Sequence, residues 1–533
     1  MEYGLDPQFP IYAGGLGMLA GDHMKSAGDL RVPLVGIGLF WDEGYTRQLV
    51  GKGSVVEDHY PKTPRDALRR VDVKVEVKVR GKNVVCRAYQ VDRYVSSRLY
   101  LLEPERDEDR WITQRLYGGG VEDRLAQEIL LGVGGVRLMQ ALGEKIDVYH
   151  FNEGHAVFAG LELLRQDVFG GSSLPERLAR LRPHVVFTTH TPVPAGNEVH
   201  DLDVMRKMDA DLGFTDTELE LIGGDPFSMT VAGLRLARLA NGVAALHGET
   251  AREMWKEVDG AAPITSITNG VHAPTWQDAR IRAALVPDKA RDIQDTELWT
   301  AHQAMKQELI DEIARRTGTH LAVNGLIIGF ARRAAAYKRA DLILGDEKAL
   351  RRLFDNGVQL VYSGKAHPRD LAGKSLVGRL VESVKRHPGK VVYLENYDMQ
   401  LGALLTRGSD IWLNNPRRPL EASGTSGMKA AMNGVPNLSI LDGWWPEGCE
   451  HGVTGWKIGD PDPKDDPFDE KDELRVDRRD RELLHRTLET EVLPAYGNRA
   501  NWIQIMRASI GMSQWRFSSD RMIEEYVQRV YRS

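Results

Sequence analysis

A run of small residues leading into one lysine, EASGTSGMKAAMNG at 421–434, is the segment of this chain best equipped for chemistry. Glycines and hydroxyl residues at a helix entry leave backbone N–H groups free for a phosphate, and the Lys429 amine beside it can hold an aldehyde cofactor as a Schiff base. Pyridoxal 5'-phosphate on Lys429 is the chemistry suggested; a Gly-rich helix entry with a surface lysine is the plain alternative. A second cluster, RRAAAYKR, sets Arg332, Arg333 and Lys338 just after the strand-like run 325–330. Guanidinium forks and an ammonium at a strand's carboxyl end bind oxyanions, although such a cluster, taken alone, is more often a solvated helix start. The loop Gly14, Gly15, Leu16, Gly17 precedes a helical stretch and can bring bare N–H groups against a phosphate, or serve only as a tight turn. Asn269 in ITNG and His190 at a strand end are, by themselves, an ordinary turn asparagine and a structural histidine. No convincing pair of catalytic carboxylates, as a hydrolase requires, stands out.

These residues must be positioned by a parallel α/β scaffold. Continuous Val- and Ile-rich runs at 32–41, 146–151, 184–190, 325–330, 358–364, 390–396 and 409–415 suggest strands buried on both faces, separated by amphipathic stretches. VDVKVEVKV at 71–79 instead alternates strictly, and with RGKN and 84–91 it predicts an antiparallel hairpin on the flank of the first domain. Two blocks of α/β pattern predict two Rossmann-like, doubly wound domains, 1–268 and 269–510, facing a central cleft, with a final helix at 511–533 crossing back to the first. Ligands gather beyond the carboxyl ends of strands in such sheets, so the site is expected between the domains. The charge-dense 459–486 reads as a solvated loop running into an exposed helix.

With 533 residues the chain exceeds one ordinary core, and its net charge of −6 gives no footprint for nucleic acid or an anionic membrane. Cys86 and Cys449 form no disulfide framework, and no His/Cys cluster suggests a metal, so a reducing cytoplasm is the expected home. No apolar run approaches a membrane span, and the first residues have no export-signal pattern.

The 421–434 string resembles the cofactor-lysine segment of the α-glucan phosphorylases (glycogen, starch and maltodextrin phosphorylase), in the GTSGMK form of their compact bacterial and archaeal branch. YAGGLGMLAGDHMKSAGDL at 12–30, HFNEGHAVFAGLELL at 150–164, TTHTPVPAG at 188–196, SITNGVHAPTW at 266–276 and GFARRAAAYKRADL at 329–342 resemble that family in its order. The resemblance implies the GT-B arrangement and a glycosyltransferase that phosphorolyses α-1,4-glucan with inorganic phosphate, retaining configuration and releasing α-D-glucose 1-phosphate. In that pattern Arg333, Lys338 and the loop Gly14, Gly15 and Leu16 fall on the substrate phosphate. Arg332, where longer members have lysine, falls with Thr425 and Ser426 on the cofactor phosphate. Glu421, Ser423 and Gly424 fall on the glucosyl hydroxyls, Asn269 on the primary hydroxyl, and His190 beside the reacting carbon. Asn152 and His155 match an active-site segment in which longer members carry Asp at the position of Glu153. Tyr337 and Trp276 match positions lining the sugar and cofactor pocket.

The family pattern also implies that the substrate phosphate, assisted by the cofactor's phosphate, takes the part of the missing carboxylates. The chain opens shortly before the glycine loop, where the family carries a longer segment; a homodimer is a further expectation. Two other readings stay open. One is a retaining GT-B glucan synthase using a sugar nucleotide, which needs no cofactor lysine; the other is a catalytically silent glucan-binding homologue.

Overall fold

Each continuous apolar run becomes a short parallel strand, because its side chains are covered on both faces. In the computed structural model, which describes residues 1–193, 196–285, 294–462, 465 and 470–532, these are Val35–Leu39, Tyr149–Asn152, Val185–Thr188, Leu326–Ala331, Val358–Ser363, Val391–Leu394 and Ile411–Asn414. The alternating stretch forms the hairpin Leu68–Val79 and Lys82–Val91. Its turn residues Arg80 and Gly81 both have positive φ, the geometry a two-residue hairpin loop requires.

Contacts divide the chain into two units, Met1–Tyr45 with Tyr60–Thr268 and Met522–Ser533, and Thr46–His59 with Asn269–Arg521. The second unit carries one six-stranded, all-parallel sheet. Its order is Val391–Leu394, Val358–Ser363, Leu326–Ala331, Ile411–Asn414, Asn437–Ser439, Gly455–Lys457. Numbered within the unit this is the doubly wound order 3-2-1-4-5-6, whose direction reverses between Leu326–Ala331 and Ile411–Asn414. The first unit differs from a single doubly wound sheet. Ile264–Ser266, Leu239–Gly242, Val185–Thr188 and Tyr149–Asn152 make one parallel sheet, while Val35–Leu39 pairs with Arg98–Pro104 in a separate mixed sheet. The hairpin extends this mixed sheet, since Lys82–Val91 pairs antiparallel to the other edge of Arg98–Pro104.

Each unit has its own core. In the first, Phe40, Trp41, Leu101, Leu130, Phe158 and Phe187 are fully buried; in the second, Ile328, Tyr362, Leu413 and Trp502 are. The segment from Met522 packs Met522, Tyr526 and Val530 on Leu19, Val186 and Ile267 of the first unit, whereas residues 511–521 group with the second. The helix Glu470–Thr487 corrects the expectation of an exposed helix: Asp480, Leu484 and His485 are buried, and Asp477 and Asp480 each hold the Arg339 guanidinium at 2.8 Å. Residues 463–464 and 466–469 of the expected loop lie outside the described residues. Among the described residues no helix is long and apolar enough to cross a membrane.

Candidate active site

The second unit gathers its chemistry at the sheet's reversal point. Arg332 follows the strand Leu326–Ala331, and the helix Thr425–Met432 follows Ile411–Asn414. This helix is buried almost all round, which places the Lys429 amine inside the protein, 3.2 Å from the centroid of the Trp276 ring. A glycine at 427 permits that depth: a Cβ there would lie 2.5 Å from Asn437 Oδ1 and 2.9 Å from Trp444 Nε1. Gly424, in the left-handed region at φ 86°, turns the chain into the helix, so the N–H groups of its first turn, including those of Thr425 and Ser426, have no partner in a preceding turn. Ser426 Oγ accepts Trp412 Nε1–H at 3.3 Å.

Glu421 is the hub of this cluster. Its carboxylate accepts Lys338 Nζ at 2.9 and 3.2 Å and pairs with Arg332 Nη2. Burial disfavours its charge, but Arg332 and Lys338 outweigh that and hold the pKa down to about 2. Arg332 was expected on a cofactor phosphate and Glu421 on sugar hydroxyls; the structure joins the two directly. Arg332 Nη1, Ser423 Oγ and Asn269 Oδ1 are buried and have no hydrogen-bond partner among the described residues. Such atoms are costly unless something polar meets them. Lys338 also sits over the Tyr337 ring at 4.8 Å, whereas Arg333 is exposed. The Asn269 loop is held by Arg521, which donates to Asn269 O at 3.1 Å, and by Val271 N–H to Phe517 O at 2.9 Å.

Three positioning residues escaped the sequence reading. Asp442, after the strand Asn437–Ser439, accepts the Glu421 N–H at 2.9 Å and the Gly443 N–H at 2.8 Å, and burial lifts its pKa to about 7. Asn433 donates to the carbonyls of Lys429 at 2.8 Å and Trp276 at 3.0 Å, fixing the amine over the ring. Arg339, at φ 48°, donates to Asn415 O and Pro416 O and so anchors the turn that carries Lys338. Their signals in sequence, the dipeptides DG at 442–443 and NG at 433–434 and the KR pair at 338–339, are short and common, and only the fold gives them these partners.

In the first unit, Gly14 N-caps the helix Gly15–Asp29, and a Cβ at Gly14 or Gly15 would meet nothing within 4 Å. The Gly14 N–H is already shared with Glu2 Oε2 at 3.3 Å, and the first bond within the helix is that of Met18 N–H to Gly14 O, so among the described residues the N–H groups of Gly15, Leu16 and Gly17 have no acceptor in a preceding turn. Asn152 and His190 are brought together, Asn152 Oδ1 lying 2.6 Å from His190 Nε2, so that this ring nitrogen donates. The His190 N–H is held by Glu153 Oε2 at 2.7 Å. Glu153 also accepts Thr191 Oγ1–H at 3.1 Å and Gly154 N–H at 3.2 Å, and it sits at φ 77°. A non-glycine residue in that conformation is strained, and three donors converging on its carboxylate hold it there. Burial raises the Glu153 pKa to about 6 and lowers that of His190 to about 3, so His190 is neutral. His155 is buried, and among the described residues no hydrogen bond joins it to Asn152 or His190.

Two other clusters carry no such arrangement. Glu128, Glu198 and His200 converge within 4.8 Å, but the Arg124 guanidinium lies between the carboxylates, 3.0 Å from Glu128 and 2.7 Å from Glu198, making an ion-pair cluster. A cavity of about 450 Å³ beside Arg379 and Arg417 is lined by charges already paired, to Asp341 at 2.9 Å and Asp477 at 2.7 Å.

The carbohydrate phosphorylase family model matches residues 265–447, the stretch that holds Asn269, Arg332, Glu421 and Lys429. The chain is 40% identical to the maltodextrin phosphorylase of Thermococcus litoralis, over all of this chain and 70% of that protein. It is 36% identical to the glycogen phosphorylase of Mycobacterium tuberculosis, again over all of this chain and 70% of the relative. With the glycogen phosphorylase of Aquifex aeolicus it shares 34% identity over 99% of this chain and 85% of the relative. Matching sequence over this span, together with a buried lysine at the reversal point of a doubly wound sheet, places the chain: it belongs to the carbohydrate phosphorylase family.

Proposed function

We propose that the chain is an α-1,4-glucan phosphorylase that cleaves the terminal glucosyl unit of glycogen, starch or maltodextrin with inorganic phosphate. Its two units are read as the domains of a GT-B enzyme, and a cytoplasmic homodimer belongs to the same reading. The observation that carries it is the buried Lys429 amine over Trp276, with Arg332 Nη1 left unpaired near the N-terminus of the lysine's own helix. That donor set fits pyridoxal 5'-phosphate: Lys429 would hold its aldehyde carbon, and the Thr425 and Ser426 N–H groups with Arg332 its phosphate. When bound, the cofactor supplies a phosphate acid–base group beside the substrate phosphate.

The remaining steps belong to the protein's own residues. Arg333, Lys338 and the N–H groups of Gly15 and Leu16 hold the substrate phosphate, with Gly14 giving it room. Glu421, Ser423, Gly424, Asn269, Asn152, His155 and His190 orient the sugar, and Tyr337 closes its pocket. Charges fixed in advance spare reorganisation as the anomeric carbon becomes cationic. Phosphate attacks that carbon from the face the glycosidic oxygen leaves, so the product keeps its α configuration, and the departing oxygen takes its proton from the phosphate.

Lys429→Ala tests the reading. The variant is expected to keep a native circular dichroism spectrum, lose the cofactor's absorbance and its borohydride-trapped peptide, and fall at least a hundredfold in phosphorolysis of maltoheptaose. Proton NMR of the first product of the parent enzyme is expected to give α-glucose 1-phosphate. A β-phosphate refutes the retaining mechanism, and full activity without Lys429 refutes the proposal in favour of a sugar-nucleotide transferase.

A further inference from the structure

Behind the pair Asn152–His190, the first unit contains a network of buried polar groups that reaches into the segment from Met522 onward. His150 stands two residues before Asn152 on one strand; Thr188 is the register partner of Asn152 on the next and stands two residues before His190. His150 Nδ1 lies 2.8 Å from Tyr531 Oη, and its Nε2 lies 2.7 Å from Thr188 Oγ1. Thr188 donates to Asn241 Oδ1 at 2.8 Å, and Asn241 Nδ2 donates to Gly242 O at 3.1 Å and Tyr526 Oη at 3.0 Å.

Two longer contacts complete the network, Thr188 Oγ1 to Tyr526 Oη at 3.3 Å and Tyr531 Oη to His23 Nε2 at 3.4 Å, and the Asn241 amide sets the direction of the shorter bonds. A carbonyl accepts from Asn241 Nδ2, so its Oδ1 faces Thr188 and takes the threonine's only proton. His150 Nε2 must then donate to Thr188, and His150 Nδ1 is left to accept the Tyr531 hydroxyl proton. Burial keeps both His150 and the nearby His23 neutral, with pKa values lowered to about 3 and about 4. The segment does not need these hydroxyls in order to dock, because Met522, Tyr526 and Val530 already pack on Leu19, Val186 and Ile267. The hydroxyls instead fix the ring of His150 and the rotamer of Thr188, at the tips of the two strands that carry Asn152 and His190. Tyr531 lies in a π-helical turn, Val527–Tyr531, a local overwidening that sets its direction apart from the preceding α-helix.

We propose that Tyr526 and Tyr531 are positioning residues: acting through Thr188 and His150, they hold the Asn152–His190 pair in the orientation that meets the sugar. The catalytic part of this inference rests on the phosphorylase reading above.

The test uses the full chain with Tyr531→Phe and Tyr526→Phe, each removing one oxygen. Long-range ¹⁵N–¹H spectra of histidine-labelled protein are expected to show His150 as the Nε2–H tautomer in the parent. In Tyr531→Phe the His150 signals should change and the His190 ring shifts should move. The same variant should lose about tenfold in kcat on maltoheptaose, with its KM changed less than twofold and its Tm within a few degrees of the parent. Tyr526→Phe provides the same readings should Tyr531→Phe fail to fold. Unmoved His190 shifts overturn the proposal whatever the rate does, and so does an unchanged kcat in an active enzyme. If the parent itself has no phosphorolytic activity, the functional reading fails and the His190 shifts alone decide the positioning.

Discussion

At the scale of single residues, charge compensation is the controlling fact. Glu421 neutralises Arg332 and Lys338 in a buried cluster, so replacing it with glutamine leaves two cations sharing no carboxylate. Breaking a buried pair costs roughly 3–5 kcal/mol, and the freed cations attract anions. Glu421→Gln is therefore expected to bind inorganic phosphate about tenfold more tightly by calorimetry while its kcat drops at least a hundredfold; unchanged phosphate affinity would count against the assignment. Glu153 and Asp442 carry the pH dependence. Both are acids whose folded pKa is raised, to about 6 and about 7, so the folded state binds protons more tightly than the unfolded one. Stability contributed by their protonated forms is full below the ordinary carboxylate range and is lost as pH rises through the folded values. Glu421, depressed to about 2, works oppositely and is fully ionised throughout this window. Ionised Glu153 and Asp442 better accept the His190 and Glu421 N–H groups. Between pH 5 and 7.5, then, phosphorolysis is expected to rise while Tm falls by a few degrees. Both slopes should flatten in the Glu153→Gln, Asp442→Asn double variant, measured by initial rates and by thermal scans.

At the scale of elements, two glycines separate a site's shape from its stability. Gly15 opens a helix, and a Cβ there meets nothing within 4 Å, so Gly15→Ala should leave Tm equal or higher, since alanine favours a helix. If the loop receives phosphate, the added methyl crowds the ligand, and the phosphate KM should rise about tenfold. Gly443 presents the reverse case: at φ 57°, its Cβ would stand 2.2 Å from Ser423 O, a backbone atom that cannot swing aside. Gly443→Ala is expected to cost about 2–4 kcal/mol and to displace Ser423 together with Glu421. Equal melting temperatures for the two variants would contradict this division.

At the scale of the whole molecule, the chain order and the unit order disagree. Thr46–His59 lies in sequence among first-unit residues yet belongs to the second unit. Gln48 donates to Ala366 O at 2.7 Å and accepts from Ala366 N at 2.9 Å, while Lys374 pairs with Asp58. These contacts lie just beyond the strand Val358–Ser363. Gln48→Ala leaves both backbone groups of Ala366 buried without that partner, at a cost of about 1–3 kcal/mol. Hydrogen exchange followed by mass spectrometry is expected to show faster exchange at 358–377 and none in the sheet of Tyr149–Asn152. Faster exchange in both units would mean that they unfold as one.

The sequence by itself determined what depends on near neighbours along the chain. Buried runs located seven strands, strict alternation located the hairpin, and glycine-rich strings located the helix entries that bear Gly14 and Lys429, because periodicity and turn chemistry are local properties. Family likeness named the reacting residues without stating which of them touch. Tertiary structure alone decided those contacts. Glu421 meets Arg332 across 89 residues, Glu153 captures the N–H of His190, and Asn433 ties Lys429 to Trp276 across 157 residues from its own position. It also divided the first unit's parallel strands between separate sheets and drew Thr46–His59 into the second unit. Such pairings follow from strand order and register, which arise from how whole hydrophobic faces are buried together, and no short window of residues contains that information.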